Sequence, residues 1–381
     1  MQVIPHQWKS GQGWSSLPTN GTPTAQFVLY FASRSLLEDS SSSPIGELRK
    51  AYPSAVLAGC STAGEIAGTR VNDDTISAVA VHFDSSRVRG VITPIAAAEE
   101  SEAAAARLAK ELLAPDLRHV QVLSDGLHVN GSAIAAGFRA ILPPVVQATG
   151  GLAGDGAAFR KTIVGLNEDV GPDRLVAIGF YGVKLQAYWG SAGGWTAFGP
   201  RRLITRAKGN VLYELDGQPA LGLYKRYLGQ RAADLPASGL LYPLELLPEL
   251  ESTGGLVRTI LAVDEKEQSL TFAGDIPEGS YTRLMKAGLD GLVDGASSAA
   301  GQATGAGSPN SALAVLVSCV GRKLVMGQRV EEEVEAVQAR LGATAVCTGF
   351  YSYGELCPSE YVPSCELHNQ TMTLTVLSEA N

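Results

Sequence analysis

Two stretches at opposite ends of the chain share one unusual spacing: GCSTAGEI at 59–66 and GFYSYGEL at 349–356. Each is Gly, four residues, Gly, Glu, then an aliphatic residue, and each follows an apolar run, AVLA at 55–58 and ATAVCT at 343–348. The two leading glycines and the two glutamates are separated by the same interval. Glycine lets backbone approach backbone closely or take positive φ, so a turn written twice implies a supersecondary unit written twice.

The flanking patterns agree. FVLYFAS (27–33) and AVLAGCS (55–61) read as buried strands, with a short helix opened by Pro44 between them, and ISAVAVHF (76–83) reads as a strand apolar on both faces. At the far end ALAVLVSC (312–319) is a strand, QRVEEEVEAVQARLG (328–342) an amphipathic helix stopped at Gly342, and TMTLTVL (371–377) a closing strand. A weaker third copy lies between: HVQVLSD (119–125), the helix SAIAAGFRAIL (132–142), the strand VVQATGG (145–151) ending at Gly151, then LAGDG, where Asp155 follows Gly154. The expected fold is α/β, a layered sandwich of mixed β-sheets flanked by helices, built from duplicated β-α-β-(Gly turn)-β units. Residues 1–24 read as a flexible N-terminal arm. A seam is expected near 218, where DGQPA breaks a strand, dividing the chain into 25–218 and 219–381.

Composition narrows the function. Hydrophobic residues are 45% and charged residues 18%, as in a globular protein, and the formal net charge of −8 supplies no basic stripe for nucleic acid. The alanine-rich 96–114 stretch is interrupted by Glu, Arg and Lys, so no membrane insertion is expected. The five cysteines lack metal-type CxxC spacing and no apolar leader precedes them, which points to a reduced, cytoplasmic setting.

The turns carry the candidate chemistry and are expected to converge on one ligand pocket, because glycine turns leave backbone NH and CO groups facing a common space: Gly59, Cys60, Ser61, Thr62, Gly64 and Glu65 in the first, Gly151 and Asp155 in the second, and Tyr351, Ser352, Gly354 and Glu355 in the third. A carboxylate placed straight after apolar strands needs a partner. It either caps a backbone NH or accepts an amine from a ligand. GCSTAGEI is not a P-loop, because Glu65 stands where phosphate binding needs Lys. Cys60 or Ser61 on a post-strand turn is a place for a hydrolase nucleophile, but GxSxG is absent and the last copy has Phe350 and Tyr351 there. No catalytic role is expected. His368 and Asn369, before the last strand, either tie that strand down or meet a ligand.

GCSTAGEI, GFYSYGELCP, ELHNQTMTLTVL and LLYPLEL (240–246) together resemble the FIST family, the sensory domain shared by F-box and intracellular signal transduction proteins. The resemblance covers about 25–375, with 25–218 similar to FIST N and 219–381 to FIST C. It implies ligand sensing in prokaryotic signalling, with small molecules such as amino acids as ligands, and a stand-alone sensor acting in trans on a partner such as a histidine kinase. A homodimer is left open. Some stand-alone relatives are haem-based nitric-oxide sensors, so the resemblance also admits haem b, held non-covalently because CxxCH is absent, with His368 as its ligand.

Overall fold

In the computed structural model, residues 1–18, 25–38, 44–235, 237–304, 312–359 and 361–380 are described. Three copies of one unit account for everything outside a single insertion. The first contains β1 (Gln2–Lys9), β2 (Phe27–Ala32), α1 (Pro44–Ala51), β3 (Val56–Ser61), β4 (Glu65–Ala67) and β5 (Thr75–His82). The second contains β6 (Arg87–Pro94), α2 (Ser101–Leu112), β7 (Leu117–Ser124), α3 (Gly131–Ile141), β8 (Gln147–Leu152), β9 (Val164–Leu166) and β10 (Arg174–Tyr181). The third opens with β11 (Leu185–Ala192). After the insertion it continues with α4 (Leu289–Gln302), β12 (Ala312–Cys319), α5 (Val330–Leu341), β13 (Ala345–Ser352), β14 (Gly354–Cys357), β15 (Glu366–His368) and β16 (Met372–Glu379).

Each unit forms the same sheet. The two strands around the helix run parallel (β2 with β3, β7 with β8, β12 with β13), and the last long strand returns antiparallel beside the first. The opening strand then pairs on the outside of that return strand. The short strand after each Gly turn leaves its own unit. β4 joins the third sheet beside β13, β9 joins the first beside β3, and β14 joins the second beside β8. The exchange is cyclic, so the three sheets close on one another.

Alternation along the strands explains their continuous hydrophobicity. Phe27, Leu29 and Phe31 of β2 meet Leu313, Val315 and Val317 of β12 and Val176, Ile178 and Phe180 of β10 in one central core. Intervening residues such as Val28, Tyr30 and Ala32, or Ala312, Ala314 and Leu316, face outward and are covered by helices or loops. A strand buried on both faces has no solvent side for polar alternation. Phe31 and Phe350, from different units, stack in that core at 4.8 Å between ring centroids.

One sequence expectation changes here. Residues 2–9 are not a loose arm: β1 pairs with β5 along its whole length, from Gln2↔His82 to Lys9↔Thr75. Val3, Ile4 and Trp8 pack against the neighbouring cores while Gln2 and Pro5 are exposed, as fits an outer strand; residues 19–24 lie outside the described residues. The seam read at 218 falls at a hairpin, where Leu215 pairs with Gln218. That hairpin belongs to an eight-stranded antiparallel sheet, residues 196–286, inserted between β11 and α4 with its own core and the helix Ala220–Leu228. The packed bodies and the sequence halves therefore divide the chain differently.

Candidate functional site

The three Gly turns meet. Ala63 N donates to Tyr351 O at 2.8 Å, Gly154 N to Ser61 O at 2.9 Å, and Tyr353 N to Leu152 O at 3.1 Å. Each turn thus donates to the preceding one around a ring. The glycine that permits this is the first of each turn. A Cβ at Gly59, Gly150 or Gly349 would fall less than 3.0 Å from the carbonyl of Tyr30, Val122 or Leu316 on the neighbouring parallel strand. The second copy's equivalent is therefore Gly150. Gly151, named from the sequence, is its neighbour, and Asp155 consequently does not take the position of Glu65.

The two glutamates do the same structural task. Glu65 accepts from Ser33 Oγ at 3.0 Å, Thr75 N at 3.1 Å and Thr75 Oγ1 at 2.8 Å, and from the Thr62 hydroxyl. Glu355 accepts from Ser352 Oγ at 2.7 Å, Thr371 N at 3.2 Å and Thr371 Oγ1 at 2.9 Å. Each carboxyl ties its own turn to the start of the returning strand. Both are fully buried; burial pushes Glu65 up to about 7 and Glu355 up to about 8, against hydrogen bonds that pull the other way. Asp155 caps a different loop, accepting from the amides of Phe159, Arg160 and Lys161 and from the Tyr353 hydroxyl. Burial would raise it, but those bonds outweigh burial and hold it below the usual carboxylate range.

The remaining turn residues are closed in as well. Cys60 is completely buried, and burial pushes its thiol well above the usual range; Ser61 Oγ accepts from Ile163 N at 2.9 Å. His6, His119, His128 and His368 are hydrogen-bonded to Tyr52, Thr149, Asp173 and the Cys357 carbonyl, and none of these four bonds to Cys60 or Ser61 among the described residues. Thr62, Gly64, Tyr351, Ser352 and Gly354 lie inside the ring of turns, all buried. Tyr351 Oη donates to Glu333 at 2.6 Å.

His368 does not fit an axial haem ligand. It lies in β15 opposite Glu355, buried, with Nε2–H donating to Cys357 O at 2.8 Å, and burial lowers it to about 4. Asn369 is 1% exposed and neither side-chain polar atom has a partner among the described residues. Asp125, His128 and Asp173 offer ligand atoms within 4.8 Å of one another. However, Asp125 is committed to its turn through Leu127 N, His128 N and Thr162 Oγ1.

Open space lies elsewhere, between the inserted sheet and the second and third units. A cavity of about 940 Å³ is walled by Ser132, Ala136 and Arg139 of α3 on one side and Leu246, Leu256 and Arg258 of the inserted sheet on the other. A smaller one of about 260 Å³ shares Asp275 with it and reaches Leu152 and Tyr353 of the turns. There Phe159 stacks on Tyr353 with ring centroids 4.3 Å apart. The ring of turns thus forms one wall of a cleft rather than the pocket itself. None of the fourteen residues singled out from the sequence lines either cavity. The overlooked signal was Arg258, a charge in the apolar run GGLVRTILAV.

Among the described residues, no helix is long and apolar enough to cross a membrane. The structure of a cyanuric acid hydrolase from A. caulinodans aligns over 78% of this chain and 100% of that one, at 10% identity and a TM-score of 0.21, too weak a likeness to assign anything. An uncharacterized protein of Methanocaldococcus jannaschii is 26% identical over 268 residues, 63% of this chain and 50% of the relative, so this chain matches about half the length of that curated relative. The FIST N domain family matches residues 26–218 and the FIST C domain family residues 220–358, and the chain belongs to the FIST family.

Proposed function

We propose that this protein is a sensor that binds a small, amino-acid-like molecule in the cleft between the inserted sheet and the three-unit core, and signals in trans. FIST domains are sensory, ligand-binding domains of signal transduction. One observation carries the location: the largest cavity described is walled by both bodies, so a ligand there touches both. The chain crosses between them twice, at 193–195 and 287–288. Arg322 donates to the Gly193 carbonyl at 2.5 Å and to the Leu292 carbonyl at 2.8 Å, holding the core ends of both crossings. A ligand that prefers one spacing of the two bodies shifts the population toward it, and a partner such as a histidine kinase would read that spacing. Binding rather than catalysis is favoured by the burial of Cys60 and Ser61.

Thermal melting of the whole chain with a metabolite panel tests this. A ligand at a hundred times its Kd adds about 2.7 kcal/mol. Ala136→Trp, which fills the cavity wall, should abolish the shift while leaving the unliganded melt near wild type. Ligands whose shifts survive Ala136→Trp would place binding outside the cleft and refute the proposal. A haem titration of wild type and His368→Ala should give the same absorbance spectrum; a Soret band lost only in the variant would restore the haem reading.

A further inference from the structure

The fold buries two arginines and treats them differently. Arg322 is fully buried and meets the carboxylate of Glu333 at 2.7 Å, with the Gly193 and Leu292 carbonyls taking other donors. Arg258 is 3% exposed and has no such partner. Its Nη1 donates to the Leu367 carbonyl at 2.8 Å and its Nε to the Asp275 carbonyl at 3.4 Å. No carboxylate lies within ion-pair distance of it among the described residues. A guanidinium has five N–H donors, so among the described residues most of Arg258's are unspent, Nη2 entirely. Arg258 also lines the large cavity. The backbone makes room for it, because a Cβ at Gly274 would fall 2.9 Å from Nε.

We propose that Arg258 anchors a carboxylate of the ligand, an inference that rests on the cleft being the ligand site. A buried guanidinium facing a cavity supplies a planar fork that matches a carboxylate with two parallel bonds. Leaving such a charge uncompensated is costly, and an incoming carboxylate removes that cost. Burial already lowers Arg258's hold on its proton, with Glu366 and Asp275 opposing from a distance.

The other charges around the cavity restrict the ligand further. Arg139 on α3 is occupied, donating to the Cys365 carbonyl at 2.8 Å and to Glu366 at 3.1 Å. Glu102 on α2 and Glu278 on the inserted sheet stand exposed at the edge, and Asp275 is half-buried between the two cavities. Carboxylates thus surround the entrance while the unpaired cation sits in the wall. A polyanion such as a nucleotide phosphate would be repelled on entry. A molecule with a single carboxylate pointing inward, and a neutral or positively charged outer end, suits both.

Three matched pairs test this on the full chain by calorimetry and thermal melting: benzoate and benzamide, hexanoate and hexanamide, L-leucine and L-leucinamide. At least one acid should bind wild type, and at least tenfold more tightly than its amide. Arg258→Lys keeps the charge but loses the fork, and should weaken the acid at least tenfold with the unliganded melt unchanged. The acid-to-amide ratio in wild type decides the question even if that variant fails to fold. Amides binding as well as their acids, acids unaffected by Arg258→Lys, or no acid binding would each overturn the inference. A ligand lost in Ala136→Trp but indifferent to its carboxylate would overturn this inference and leave the cleft as the site.

Discussion

Replacing Glu65 by glutamine separates two states that the same hydrogen bonds could serve. Glu65 is fully buried and, in the folded chain, is pushed from 4.5 up to about 7. The folded state therefore binds more protons than the unfolded state across that interval. The stability that the neutral carboxyl contributes is complete below about pH 4.5 and lost as pH rises through about 7. That gap corresponds to roughly 3 kcal/mol in full, of which roughly 2 kcal/mol disappears between about pH 5.5 and 8.5. The substituted side chain cannot titrate, yet its amide can accept from Thr75 N and donate toward the Thr62 and Ser33 oxygens, the pattern a protonated carboxyl would show. Urea unfolding followed by tryptophan fluorescence, on wild type and Glu65→Gln at both pH values, measures the difference and cancels every other titrating group. The variant should gain about 2 kcal/mol on wild type between the two conditions. If wild type instead holds or improves its position as pH rises, the carboxylate is charged and stabilised by its four donors, and the dominance of burial is wrong.

Gly349→Ala should destabilise by about 2–4 kcal/mol, because its Cβ would strike the Leu316 carbonyl. Gly342→Ala, where φ is +89° but the space is open, should cost only about 1–2 kcal/mol; equal melting temperatures for the two would refute the steric argument. Arg322→Met should cost about 3–5 kcal/mol in chemical unfolding by leaving Glu333 buried and unpaired, and adding Glu333→Leu should recover much of it. All five cysteines are buried, so a thiol reagent at mildly alkaline pH should label none of them in the native chain and every one in denaturant. Rapid labelling of native Cys60 would reopen the nucleophile reading.

The repeated unit was legible because its signals are local. Apolar runs ended at the same Gly spacing, Pro44 opened a helix and Gly342 closed one. Local signals failed where pairing is with a distant strand. β1 lies within the Gly-, Pro- and Ser-rich run 1–24 and becomes a strand because β5 offers it an edge along its full length. The second turn was misread by one residue because its leading Gly-Gly leaves two candidates, and only the clash with the Val122 carbonyl selects Gly150.

The glutamates illustrate the same division. That Glu65 and Glu355 need partners follows from their place after apolar strands. That the partners are Thr62 and Thr75, or Ser352 and Thr371, depends on where the returning strand lands.

By itself, then, the amino-acid order determined the unit and its repetition, since both follow from periodicity and glycine spacing within a few dozen residues. The cyclic exchange of β4, β9 and β14, the insertion between β11 and α4, and the cleft holding Arg258 were decided only by the tertiary structure. Each joins segments far apart in the chain, and no local pattern records which distant surface a strand edge or a lone arginine will face.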